Sequence, residues 1–182
     1  MRTCFTLIAG LATATLGQSQ PPGGSGSATA TYYATYKLDG GTATQTNQTF
    51  TASATDTSGV WVTNSGVLTL INPILNTTGN TSSTDNSSFL GLNAGLLATA
   101  AGRVTVTGGT ITTTGTGANG AFATGSGSSV TLAGTTIHCT GGGAHAAMAT
   151  QAGAMTLTDV TMSTSGASAS AIARIAGAER SR

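Results

Sequence analysis

The side chains able to do acid–base, nucleophilic or metal chemistry are few in this sequence, and they do not gather. Six Lys and Arg, five Asp and Glu and two His occur in 182 residues. The aspartates are Asp39, Asp56, Asp85 and Asp159. Cleavage of a glycosidic bond needs two carboxyl groups at a fixed separation, and no pair of these suggests itself; Asp159 sits at a bend and is accounted for by turn chemistry. His138 and His145 have no third ligand in sight, whereas a catalytic metal takes three and a water. Both read as solvated surface histidines. Cys139 would point inward beside Thr113 and Thr164 and behave as a small apolar residue, with no basic neighbour to activate it. The stretch Asn80–Ser88 is a polar loop holding Asp85 alone, too little for a calcium cage of about six to eight oxygens. Asn47, Asn76, Asn80 and Asn86 each open an Asn-X-Ser/Thr triplet. These are candidate glycosylation sites in a eukaryote, although a Thr- and Ser-rich chain also supplies such triplets by chance. No cofactor and no metal are implied.

What must position these residues is a repeat. Val104-Thr-Val-Thr-Gly-Gly-Thr-Ile, Val130-Thr-Leu-Ala-Gly-Thr-Thr-Ile and Met155-Thr-Leu-Thr-Asp-Val-Thr-Met begin 26 and 25 residues apart. Within each copy apolar residues alternate with Thr, as a half-buried strand requires. A Gly or Asp bends the chain, and a single apolar residue follows (Ile111, Ile137, Met162). A Gly-rich turn then leads to a third short run around Phe122, Met148 or Ile172. Such a triplet cannot bury its own apolar row, so the copies must stack. The expected fold is all-β: a right-handed, single-stranded parallel β-helix with three short strands per coil of about 25 residues. Interior ladders are expected from Val104, Val130 and Met155, from Val106, Leu132 and Leu157, and from Phe122, Met148 and Ile172. A β-sandwich fits less well, since its strands would not repeat their side chains in register.

Residues 1–17 read as a secretory signal peptide, with Arg2 before an apolar run too short to span a bilayer. Residues 18–31 form a flexible linker by composition. Cys4 leaves with the leader, so no disulfide framework is expected. The β-helix is assigned to residues 32–173, with the repeat degraded at its start. There Leu68 and Leu70 match Val130 and Leu132, Leu75 matches Ile137, and Trp61 and Leu97 extend the Phe122 ladder. Tyr32, Tyr33 and Tyr36 are expected to cover the N-terminal end, and residues 80–88 are an insertion at a turn. Residues 174–182 abandon the repeat, and read either as a short capping segment or, the preferred reading, as the place where a longer protein was truncated or shifted out of frame. The net charge of +1 and the lack of a basic stripe argue against nucleic acid as a partner.

Val-Thr-Asn-Ser-Gly near Val62, Ser87-Ser-Phe-Leu-Gly-Leu-Asn-Ala and Gly109-Thr-Ile-Thr-Thr-Thr-Gly-Thr-Gly-Ala-Asn-Gly resemble the secreted right-handed β-helix repeat proteins, adhesin-like or autotransporter-passenger-like. The resemblance implies export to the cell surface or medium, and contact with cells or glycans. Pectate lyases and polygalacturonases look similar in fold, but their clustered aspartates and basic residues are missing. The leading expectation is therefore a non-catalytic structural or adhesive protein, with Asn80, Thr84, Asp85 and Asn86 as a partner-binding loop. A polysaccharide lyase or hydrolase is the first alternative. Ice binding is the second, because Thr105-Val-Thr107 and Thr156-Leu-Thr158 resemble the threonine arrays of β-helical ice-binding proteins, with a break at Ala133.

Overall fold

The computed structural model describes residues 30–174. The expected leader, the linker up to residue 29 and the tail from residue 175 lie outside the described residues. The chain winds as a parallel β-solenoid, laying one strand into each of three sheets per turn. The first turn is β1 (Tyr33–Asp39), β2 (Thr42–Thr46) and β3 (Thr49–Ala52). The second is β4 (Thr57–Thr63), β5 (Val67–Ile71) and β6 (Ile74–Thr77). A short helix, α1 (Thr84–Leu90), intervenes before β7 (Leu96–Ala98), β8 (Arg103–Thr107) and β9 (Thr110–Thr113). Next come β10 (Ala121–Thr124), β11 (Ser129–Ala133) and β12 (Thr136–Cys139), then β13 (His145–Thr150), β14 (Ala154–Thr158) and β15 (Thr161–Thr164). Finally, β16 (Ser170–Arg174) opens a further turn. Sheet A is β1-β4-β7-β10-β13-β16, sheet B is β2-β5-β8-β11-β14, and sheet C is β3-β6-β9-β12-β15.

The register follows the repeat. Leu68, Val104, Val130 and Met155 stand over one another in sheet B, as do Leu70, Val106, Leu132 and Leu157. Leu75, Ile111, Ile137 and Met162 do so in sheet C. These columns are buried through the middle turns and only partly buried at Met155, Leu157 and Met162. Each fully buried side chain is worth about 1.5–3 kcal/mol, which no single turn could collect alone. Between sheets B and C the chain bends through Asn47, Asn72, Gly108, Gly134 and Asp159, all with positive φ. Asn, Asp and Gly are the residues that tolerate this left-handed conformation, so Asp159 is turn chemistry, as expected. After sheet C another column admits only glycine. A Cβ on Gly115 would lie 1.8 Å from the Gly79 carbonyl oxygen, and one on Gly141 would lie 1.8 Å from that of Gly115.

Sheet A departs from expectation. Trp61, Leu97, Phe122 and Met148 do stack in register, but they face away from the column. The interior row is instead Val60, Leu96 and Ala121 with Val62, Ala98 and Ala123. Phe122 belongs to a second apolar cluster with Ala94, Leu97 and Met148, flanked by Tyr32, Trp61 and Ala173. Ile172 is off that ladder by one residue, because Ala173 pairs with Met148 and Ile172 with Ala147. Ile172 is 62% exposed. The cause is that sheet A is buried on both faces. Such strands read as continuous apolar runs, and alternation then cannot tell the inner row from the outer.

The tyrosines divide the work expected of them. Tyr36 packs against Phe50 at the N-terminal end, with centroids 5.2 Å apart and the rings tilted by 50°. Tyr32 lies against Trp61 on the outside of sheet A, at 5.3 Å. Tyr33 is exposed.

Candidate functional site

The second apolar face exists because something covers it. The insertion expected as a plain polar loop is a strap, and its central part is α1. Ser83 caps the helix, its Oγ accepting from the Asn86 amide at 3.2 Å, and Gly91 ends it in the left-handed conformation. These are the residue types that satisfy the orphan groups at the two ends of a helix. Gly91 has a second reason to be glycine, since a Cβ there would lie 2.5 Å from Cδ1 of Phe122. The strap therefore rests directly on the outer ladder of sheet A.

Polar bonds pin it along its length. At its start, Asp56 Oδ1 accepts from the Ser82 amide at 2.7 Å and from the Thr81 hydroxyl at 3.2 Å, while Oδ2 accepts from the Ser82 hydroxyl. Asn80 Oδ1 accepts from the Thr116 amide at 2.9 Å. In the middle, buried Ser87 donates from Oγ to the Gly117 carbonyl, and its own carbonyl accepts from Asn119 Nδ2 at 3.1 Å. Asn119 Oδ1 in turn accepts from the His145 amide at 2.8 Å. At its end, the Leu90 carbonyl accepts from the Tyr32 hydroxyl at 3.1 Å and the Phe89 carbonyl from the Thr150 hydroxyl at 2.8 Å. Carbonyls in a last helical turn lack intrahelical partners, and here side chains of sheet A and its flank supply two. Burial against this region raises the Tyr32 phenol above its ordinary pKa.

With its inner side so occupied, the strap leaves Thr84, Asp85 and Phe89 exposed and Asn86 half-buried, and Asn80 is exposed as well while holding the Thr116 amide. Phe89 is 46% exposed. Of the triplet asparagines, Asn47 is exposed at its turn and Asn76 half-buried on β6. Asn80 and Asn86 belong to the strap.

The other candidate residues stay apart. Asp39 is on β1, paired with Lys37 at 2.6 Å. The Lys37 contact first, and then the Asn64 amide, hold its carboxyl below the usual range. The Lys37 ammonium also lies 4.5 Å from the centre of the Trp61 ring. Asp56 serves the strap and Asp85 lies on it, whereas Asp159 is in a turn. His138 is exposed on β12, with Nδ1 2.7 Å from the Ser163 hydroxyl of the next turn. His145 is not in a turn as expected. It begins β13, is half-buried, and burial lowers its pKa. Cys139 is buried beside Thr113 and Thr164, as expected, and burial raises its thiol pKa. Among the described residues no three of His, Cys, Asp and Glu are grouped so as to hold a metal ion. No helix among them is long and apolar enough to cross a membrane.

The architecture defines a parallel β-solenoid with a helical strap across one sheet. No protein-family model, curated protein or solved structure matches the chain.

The strap is the part of the site least legible in the sequence. Its signals were present: Ser83 three residues before Asn86, and Phe89-Leu90 followed by Gly91. They were masked by the polar residues between.

Proposed function

We propose that this chain is a secreted or cell-surface right-handed β-helix of the adhesin-like kind, whose work is contact with cells or glycans and not catalysis. The observation that carries this reading is the strap. It is fastened by its inner side chains, and it holds a large apolar ring, Phe89, and a carboxylate, Asp85, side by side in solvent. Elements on a rigid scaffold that expose such residues are where partners bind. Exposed Thr84 adds a hydroxyl next to Asp85, and exposed Asn80 lies at the start of the strap. The other three aspartates support the same reading from the other side, because Asp39 and Asp56 are engaged by neighbours and Asp159 by its bend. Fold alone does not supply an activity.

The test is binding of labelled protein to a glycan array and to whole cells, comparing the native chain with F89A/D85A. These outward substitutions leave the inner fastenings in place, which deletion of the strap would not. Saturable binding that falls at least about tenfold, equivalent to 1.4 kcal/mol, is the expected result. Undiminished binding by the variant would remove the strap from the reading. Release of reducing or unsaturated sugars from the same glycans would replace it with the polysaccharide-cleaving alternative.

A further inference from the structure

The outer face of sheet B carries an arrangement that the strap reading does not use. By register, Thr44, Thr69, Thr105 and Thr131 form one outward ladder, exposed at Thr44 and Thr105 and half-buried at Thr69 and Thr131, and Thr156 continues it on β14. Beside it runs a second ladder of Thr46, Ile71, Thr107, Ala133 and Thr158. The repeated Thr-X-Thr pairs visible in the sequence are thus parts of a two-column array five strands deep. Strand spacing sets its period along the stack at about 4.8 Å, and two residues of strand separate the columns by about 6.6 Å. Threonine is stiff at χ1, so each hydroxyl and methyl is placed by the backbone and repeats with it.

We propose that this face binds ice. The array is uncharged in both columns; Arg103 stands in the next column, opposite Val67 and Ser129. A charged face would hold a hydration shell of its own, whereas alternating hydroxyls and methyls can order water on the spacing of the strands. One threonine contact is worth little against bulk water. The gain comes from summation, and only an occupant that repeats in two directions meets several rungs of both columns together. A dissolved ligand cannot do so, and the crystal lattice of water can. A crystalline polysaccharide is the other repeating solid, but flat sugar faces are matched by aromatic rings, and neither column contains one.

The experiment uses the full chain and three readouts: thermal hysteresis, inhibition of ice recrystallisation, and circular dichroism with thermal melting to certify the fold. T131K places a charge at the centre of the array. T136K places the same charge on exposed Thr136 of sheet C, outside it. Hysteresis in the native chain that is lost in T131K and kept in T136K, with all three melting alike, is the expected result. No effect of the native chain on ice growth, or equal loss in both variants, would overturn the proposal. Neither outcome bears on F89A/D85A, so the two readings fail separately.

Discussion

Sheets A and B are built on the same winding and share one interior, yet their outer faces are opposites. Outside sheet B the outward rows are mostly threonine with Ile71, Ala133 and, one column on, Arg103, exposed or half-buried along the stack. Outside sheet A the corresponding row is Trp61, Leu97, Phe122 and Met148, beside a second row of Thr63, Thr99, Thr124 and Thr150, and a helical strap closes over part of it. The threonines differ accordingly. In sheet A they are buried and bonded to one another, with Thr63 3.1 Å from Thr99 and Thr124 2.8 Å from Thr150. In sheet B they face outward. What distinguishes a face that recruits its own chain from one left to solvent is therefore the identity of the outward row, since the backbone is the same in both.

Substitutions can break this contrast. Phe122→Ala should be the most damaging, because the ring is fully buried between sheet and strap. Truncating a buried Phe costs about 3–5 kcal/mol, read as a lower midpoint in urea unfolding. Ser87→Ala should come next. It leaves the Gly117 carbonyl without its donor, at about 1–3 kcal/mol, and should raise the hydrogen-exchange rates of strap amides before those of β8 to β12. Tyr32→Phe removes one bond to the strap end and should cost about 0.5–1.5 kcal/mol. At the foot of the scale, Thr131→Ala on the outward side of sheet B should change stability by no more than about 0.5 kcal/mol.

Acidity sharpens the same contrast. Burial keeps the His145 imidazole below its ordinary value of 6.5, so the unfolded chain takes up that proton more readily than the folded one. Stability is complete above 6.5 and is lost as pH falls from there through the folded pKa. Melting temperature should therefore decline on acidification, and H145Q should flatten the decline. Cys139, buried and with its pKa raised, should resist alkylation at neutral pH until the chain is unfolded.

The inner columns of sheets B and C could be read from the sequence because their outward neighbours are threonine, so alternation separates the two faces. Val104, Val130 and Met155 stand where the repeat puts them for that reason. Around Phe122 both rows are apolar, and the pattern contains no information about which side is in. Only the presence of a cover resolves it, and the cover is a one-time insertion with no repeat to reveal it. Its residues, Thr84-Asp-Asn-Ser-Ser, are also those that favour turns and caps over helix interiors. Docking on Phe122 and the cap at Ser83 hold them helical here.

The contacts of the Phe122 ring test the central claim most directly. In solution NMR, nuclear Overhauser effects should connect that ring to Gly91, Leu97 and Met148, and none should reach Ile111 or Leu132. Contacts with Ile111 or Leu132 would put the ring inside the column and contradict the account of sheet A and its strap.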